Sequence, residues 1–517
     1  MDTDALTAFL SRQKKGSINI LISIYSVTAT LRGPIAWRIS LIDRVIFNRP
    51  KLRLSGAALT SSYHRCSSQR RALASALTSF SHKMAETLQT VILPCDVSSI
   101  SFEERGEEVI PIISSNQTRR ALEEVSSALK HDLQPVAFPT ETVYGLGGLA
   151  LQNDAILRIF STKGRPADNP LIVHISSLSM LKRILPPSYT ITPLYLSLIN
   201  SFWPGPLTLL FPSSSLIIPT TVTAGHETLA IRMPSHPVAR ALISLCDEPL
   251  AAPSANSSGR PSPTRAEHVY KDLKGKIKYI LDGGPAQIGL ESTVVDGLGK
   301  DGHLRVLRPG GITVEQLESV VESFENRNGL GLAAGSGSGL GLGLSRIKVL
   351  VYKRDYKDEG IEVAPTTPGM KYRHYAPSAP VILLVNPSRQ SSTTAITQPS
   401  IENIQSFLSS LSSHSPRHNT RIKLGLLLTE DSPYLTPLTS ALSSPVFNGC
   451  YEYQVQPLGA SNRPHVTAQR LFGGLLTLDN EGVDVIIIES ISETHEGLAI
   501  MNRVHKAAGE IRRVTIE

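Results

Sequence analysis

Residues 326–345 read NRNGLGLAAGSGSGLGLGLS. A low-complexity run this rich in glycine and serine cannot build a packed core, and it reads as flexible linker. It therefore cuts the chain into parts that must each find a core of their own. With 517 residues in all, the part before it and the part after it are both long enough to do so.

The part before it alternates between the two periods of regular structure. Arg119–Leu133 carries Leu122, Val125 and Leu129 at helical spacing. Short apolar runs follow at Val136–Phe138, Leu171–Ile175, Leu229–Met233, Leu250–Ala252, Ile277–Leu281 and Thr293–Asp296, with helical stretches at Ala155–Thr162 and Pro237–Leu245. This predicts an α/β domain over 109–320. A linker over 321–379 should follow, then a second domain over 380–517. In that second part strands at Val381–Val385, Leu424–Leu428 and Val483–Glu489 alternate with helices at Ile401–Leu411, Thr467–Leu478 and Gly497–Ala508. That alternation predicts a smaller Rossmann-like parallel sheet covered on both faces. No G-x-G-x-x-G follows its first strand, so a dinucleotide site is not supported.

Residues 1–100 are a different material. The first 83 residues hold 13 Lys/Arg against 3 Asp/Glu, whereas the rest of the chain has 38 against 41. The net charge of +7 thus belongs to an amino-terminal extension, and the body is no uniformly basic nucleic-acid surface. The Arg/Ser-rich extension has the composition of an organelle transit peptide, or of a tail outside the fold. With Met84 as an alternative start, the expectation is a cytoplasmic protein with a mitochondrial form. No run reaches the length of a membrane span. Four scattered cysteines (Cys66, Cys95, Cys246, Cys450) give neither a disulfide frame nor metal-ligand spacing.

Chemistry-bearing residues cluster at the predicted strand ends. Lys163 and Arg165 sit on a Gly-Pro turn in STKGRPADNPLIVHI, which also holds His174. Such a pair is either a solvated basic turn or a polyphosphate clamp. Arg232 interrupts an apolar strand and needs a carboxylate or an anionic ligand. Ser254, Asn256 and Ser257 end the next strand, and Ser292 and Arg308 end two more. In PTETVYGLGG, residues 139–148, Thr140, Thr142 and Tyr144 bring three hydroxyls to one strand end, and Gly145 and Gly147 are expected to turn the backbone tightly. Carboxylates are few there, Glu141 and Glu291 among them. No Ser-His-Asp set, reactive cysteine motif or metal cluster is present. The pattern points to phosphate chemistry by positioning and charge stabilisation.

The strings PTETVYGLG, KGRPADNPLIVHI, WPGPLTLL, LAIRMPSHP, AAPSANSSGRPSPT, ESTVVD and LRPGGIT occur in that order. Together they resemble the YrdC-like family, the threonylcarbamoyl-AMP synthases. TPGMKYRHYAP (367–377) and GLAIMNRVHKAA (497–508) resemble the linker and the carboxy-terminal domain of the family's long form. The resemblance implies a twisted, open mixed sheet with helices, plus a second α/β domain. It implies a nucleotidyltransferase that makes threonylcarbamoyl-AMP and pyrophosphate from L-threonine, bicarbonate and ATP, for the modification of tRNA beside the anticodon. It further implies Lys163 and Arg165 as catalytic and ATP-binding residues, with Thr228, Ser254, Asn256, Arg308 and Tyr375 also on the nucleotide. Thr140, Tyr144, His174, Arg232 and Ser292 would face threonine. Mg²⁺ is expected to arrive with ATP, with no tightly bound organic cofactor. A tRNA threonylcarbamoyl transferase machinery would take the product. The alternative is a non-catalytic factor that binds double-stranded RNA or tRNA.

Overall fold

In a computed structural model, residues 88–328, 346–359, 362, 366, 374–387, 400–411 and 421–516 are described. The basic extension up to residue 87, and with it the targeting expectation, lies outside the described residues. So do 329–345 and 367–373.

The first domain is built on an 11-stranded mixed sheet. Its strands run, edge to edge, Val91–Pro94, Tyr279–Asp282, Val136–Phe138, Gly145–Leu149, Leu250–Ala251, Ile172–His174, Thr228–Arg232, Leu207–Pro212, Thr293–Asp296, Leu304–Arg308 and Val349–Val351. The helix expected at 119–133 forms over Asn116–His131. Ser115 caps it by accepting a hydrogen bond from the Thr118 amide, and it packs on helix Pro237–Cys246 through the fully buried Leu122, Val125 and Leu129.

Three expectations are corrected. The fold begins before residue 100, because Val91–Pro94 pairs in parallel with Tyr279–Asp282. The stretch 321–379 is not all linker. Helix Val314–Arg327 runs into it, and Val349–Val351 then adds a parallel edge strand beside Leu304–Arg308. Glu325, on that helix, accepts from the Ile347 amide at 2.6 Å and from Arg346 Nε at 3.2 Å. Both flanks of the Gly-rich run are therefore held by the first domain.

The third correction concerns the glycines of PTETVYGLGG. Gly145, Gly147 and Gly148 do not turn the chain; they lie within the strand Gly145–Leu149, antiparallel to Val136–Phe138. Their reason is close approach. A Cβ on Gly147 would stand 2.5 Å from Phe138 Cε1, and one on Gly148 3.1 Å from Ile159 Cδ1. The turn itself is made by Thr140. Its hydroxyl accepts from the Thr142 and Val143 amides at 3.2 Å and donates to the Val143 carbonyl at 2.6 Å.

The second domain is a six-stranded sheet, all parallel, in the order Ile401–Asn403, Glu510–Thr515, Val381–Val385, Val485–Glu489, Ile422–Leu428, Tyr451–Pro457. Its central strands bury both faces. Ile382 and Leu384 pack with helices Ile404–Ser410 and Leu435–Leu442, whereas Val381, Leu383 and Val385 pack with Pro464–Asn480 and Glu496–Ala507. The helix expected at 401–411 starts later, because 401–403 pairs with Glu510–Thr515 and Asn403 then caps the helix through the Ser406 amide at 2.9 Å. No helix among the described residues is long and apolar enough to cross a membrane.

The domains share a core. Val143 and Leu290 of the first pack with Phe472 and Leu471 of the second, and Tyr375 lies among them. Arg260 bonds Asp479 at 2.7 Å, and Asp479 in turn accepts from the Ser378 and Ala379 amides.

Candidate active site

One cleft collects the strand ends of the first domain and is closed by Tyr375. Among the described residues, five cations line it (Lys163, Arg165, Arg232, Arg260 and Arg308) against the single carboxylate of Glu291. That imbalance selects for a multiply charged anion.

Lys163 ends helix Asn153–Lys163, where Gly164 takes the left-handed conformation at φ 61°. The turn drops the ammonium group onto the carbonyl oxygens of Ser254 and Asn256, to both of which it donates. Burial, then Arg165, holds its pKa well below the ordinary amine range. Arg165 is fixed by donating to the Asn169 carbonyl at 3.2 Å and the Pro170 carbonyl at 3.0 Å. Arg308, at the end of Leu304–Arg308, donates to the Ser292 carbonyl at 2.9 Å and its hydroxyl at 3.2 Å. Burial lowers the pKa of each of these two guanidinium groups to about 10. Three desolvated cations face one space, which is how an anion-binding site is prepared in advance.

The other end of the cleft is built for a smaller polar group. Arg232 pairs with buried Glu141 and donates to Thr142 Oγ1 at 2.8 Å and to the Gly205 carbonyl at 3.2 Å. A guanidinium has five N–H donors, so two remain for a ligand. Thr140 and Thr142 hydroxyls are 2.7 Å apart, and Ser292 Oγ is 2.7 Å from Thr208 Oγ1. His174 is in register with Arg232 on the neighbouring strand, and its Nδ1 lies 3.1 Å from the Ile172 carbonyl. Burial, then Arg232, pushes its pKa down to about 3, so the imidazole is neutral.

That depression has a consequence for stability. Between pH 6.5 and 3 the unfolded chain binds a proton at His174 that the folded chain refuses, so stability falls as pH drops through this window. His174→Asn should lose less stability than the parent between pH 6.5 and 5, by up to about 2 kcal/mol. Denaturant midpoints at the two pH values measure it, and identical slopes would refute it.

Tyr375 forms the roof. Its backbone takes φ 66°, the neighbouring Ala376 amide donates to the Gly259 carbonyl at 3.0 Å, and its ring packs 5.1 Å from that of Phe472. Burial, then Glu291, raises its pKa to about 12, so it faces the cleft as a neutral phenol.

Of the residues expected from sequence, the structure gathers Lys163, Arg165, Ser254, Asn256, Arg308, Tyr375, Thr140, His174, Arg232 and Ser292 around this cleft. It does not bring in Tyr144 or Thr228. Side chains alternate along an extended chain, so with Val143 and Gly145 on the cleft Tyr144 points away; its hydroxyl donates to the Gly284 carbonyl at 2.7 Å. Thr228 begins the strand that Arg232 ends, roughly 13 Å away at the usual rise. Ser257 is turned outward too, its amide and hydroxyl both bonded to Asp272.

Sequence reasoning missed Arg260, Ser262 and the second domain's Arg503. Arg503 carried a signal. It stands on the apolar face of helix Glu496–Ala507, with Ala499, Ile500, Val504 and Ala507, and a cation there demands a partner.

The family model described as "Telomere recombination" matches residues 129–310, and that described as "Threonylcarbamoyl-AMP synthase, C-terminal domain" matches 312–509. A threonylcarbamoyl-AMP synthase of Schizosaccharomyces pombe is 40% identical over 82% of this chain and 98% of its own. One of Bacillus subtilis is 40% identical over 74% of this chain and 92% of its own. The crystal structure of Pyrococcus abyssi Sua5 complexed with L-threonine is similar at a TM-score of 0.58 and 33% identity, covering 82% of this chain and 99% of that one. With both domains matched in order, the chain belongs to the threonylcarbamoyl-AMP synthase family in its two-domain form.

Proposed function

We propose that the cleft joins L-threonine, bicarbonate and ATP into threonylcarbamoyl-AMP, with release of pyrophosphate. The observation that supports this is one cleft, roofed by Tyr375, that is lined both by Lys163, Arg165 and Arg308 and by Arg232 with the hydroxyls of Thr140, Thr142 and Ser292. The relative crystallised with L-threonine supports the amino-acid half of the reading.

In this reading Arg232 receives the threonine carboxylate on its two remaining donors, and Thr140, His174 and Ser292 surround the rest of the amino acid. The amine attacks bicarbonate, loses water, and leaves a carbamate. A carbamate oxygen then attacks the α-phosphorus of ATP as the bond to pyrophosphate breaks. Holding the two partners together can contribute roughly 7–11 kcal/mol at best. Lys163, Arg165 and Arg308 stabilise the charge gathering on the leaving pyrophosphate. No side chain becomes covalently attached. Neutral His174 leaves the threonine end without a second cation that would compete for its carboxylate.

Mg²⁺ fits this site only as a companion of the nucleotide. Glu141 and Glu291 are both committed to arginines, and no cluster of three metal-ligating side chains exists among the described residues. Ser254 and Ser258 line the cleft and would offer hydroxyl oxygens to an ion carried on the nucleotide. Such an ion would supply charge neutralisation on the triphosphate.

The product is a mixed anhydride that water destroys, so it must pass to a transferase acting on tRNA. The test is pyrophosphate release by the full chain with each substrate omitted in turn. Release that needs ATP, L-threonine and bicarbonate together is expected. Release indifferent to threonine, or tight tRNA binding without any adenylate product, would overturn the reading.

A further inference from the structure

The second domain sends one arginine into the first. Arg503 is 1% exposed. Its Nε donates to Glu291 Oε2 at 3.1 Å, its Nη2 is 3.1 Å from the same oxygen, and its Nη1 donates to the Pro309 carbonyl. The guanidinium also stands 5.9 Å above the Tyr375 ring.

Glu291 is the cleft's only carboxylate among the described residues, and its chain position matters. It immediately precedes Ser292, whose carbonyl and hydroxyl hold Arg308 in place. Its other oxygen accepts from Ser262 at 2.6 Å. Burial works to keep this carboxyl protonated, but Arg503 first, then Arg308 and Ser262, outweigh that and hold its pKa below the usual range. Glu291 is thus a buried anion between two arginines, one from each domain. Without Arg503 the buried carboxyl loses its largest stabilising partner, and Arg308 is the cation left to compensate it. An arginine drawn to a protein carboxylate is an arginine withdrawn from a phosphate.

We propose that Arg503 is a positioning residue: by occupying Glu291 it keeps Arg308 available to the nucleotide, so that docking of the second domain sets the ATP affinity of the first. This deepens the reading given above and rests on it. A purely structural role for Arg503, as a peg between domains, predicts something different. Removing Glu291 as well would then repair nothing, because a second contact would have been lost. Under the charge argument, the second change removes the competitor and restores Arg308.

The experiment uses the full chain with Arg503→Met, Arg503→Lys and the double variant Arg503→Met/Glu291→Gln. Steady-state KM for ATP and kcat are measured, with threonine binding by calorimetry alongside. Arg503→Met should raise the ATP KM at least about tenfold while threonine affinity moves less than about threefold. The lysine variant keeps the charge but not the planar fork, and its ATP KM should fall between those of the parent and Arg503→Met. The double variant should recover most of the ATP KM lost in Arg503→Met. A double variant as impaired as Arg503→Met, an unchanged ATP KM in Arg503→Met, or equal losses for ATP and threonine would each overturn the proposal. Should Arg503→Met fail to fold, the double variant decides, since a neutral pair of similar volume is tolerated in place of a buried ion pair. A parent protein that makes no adenylate would instead sink the underlying reading, before any variant is compared.

Discussion

Replacing Lys163 with methionine should lower kcat/KM for ATP at least about a hundredfold, while the melting temperature moves by only a few degrees. The two effects separate because of how the ammonium is held. Its anchors are the carbonyl oxygens of Ser254 and Asn256, and its neighbour Arg165 is another cation. Desolvating an amine in that setting works against folding. Methionine has a similar stem and relieves that cost, but leaves two carbonyls without their donor, at roughly 1–3 kcal/mol each. The opposing terms are of similar size, hence the small thermal shift. Nothing offsets the functional loss, since a charge-assisted contact to a phosphate oxygen disappears along with the charge that meets the departing pyrophosphate. A second readout follows. ATP should raise the melting temperature of the parent and not of Lys163→Met. A variant that keeps a tenth of parental activity, or that still gains stability from ATP, would remove Lys163 from the nucleotide end.

Tyr375→Ala should be the next most damaging single change, for a different reason. The ring fills the space between Phe472, Arg503 and the cleft, and the backbone beneath it is held at φ 66°. A left-handed residue other than glycine costs about 1–2 kcal/mol, so the ring's burial is what keeps the roof down. Without it water reaches the carbamate, which reverts to amine and bicarbonate before it meets the α-phosphorus. The expected result is at least about a thirtyfold loss of threonylcarbamoyl-AMP. Threonine binding should change much less, because Thr140, Arg232 and Ser292 are held by the first domain itself. Isotopic bicarbonate incorporation measures the first quantity and calorimetry the second. An unchanged yield would show that the roof is not needed to exclude water.

Where sequence and structure agree, the reason is local. The helix at Asn116–His131 and the strand at Val381–Val385 are each written in consecutive residues, as a period or an unbroken apolar run. Most of the cleft's cations were legible too, because Arg232 breaks an apolar strand and Lys163 and Arg165 crowd one turn. The misses are non-local. Gly147 looks like a turn residue until Phe138, brought alongside by antiparallel pairing, explains the missing side chain. Tyr144 shares its strand end with residues of the cleft wall, and only the sense of the pleat separates it from them. Arg503 lies 212 positions from the carboxylate it binds, and no spacing rule reaches that far.

The Gly-rich run has a different meaning once its ends are located. Asn328 and Arg346 flank it, and Glu325 ties the helix on one side to Arg346 and Ile347 on the other. Both of its flanks are fixed within the first domain, so its length is thermodynamically insulated from the connection between the domains. Closure entropy grows only with the logarithm of length, about 0.6 kcal/mol per doubling. The tether that sets the local concentration of the roof is instead the stretch between Tyr352 and Ala379. Length variation in the one is close to neutral, whereas variation in the other changes how often Tyr375 and Arg503 arrive together at the cleft. The same chain thus holds a permissive site for grafting a reporter domain and, about two dozen residues on, a segment whose length bears on delivery of the roof.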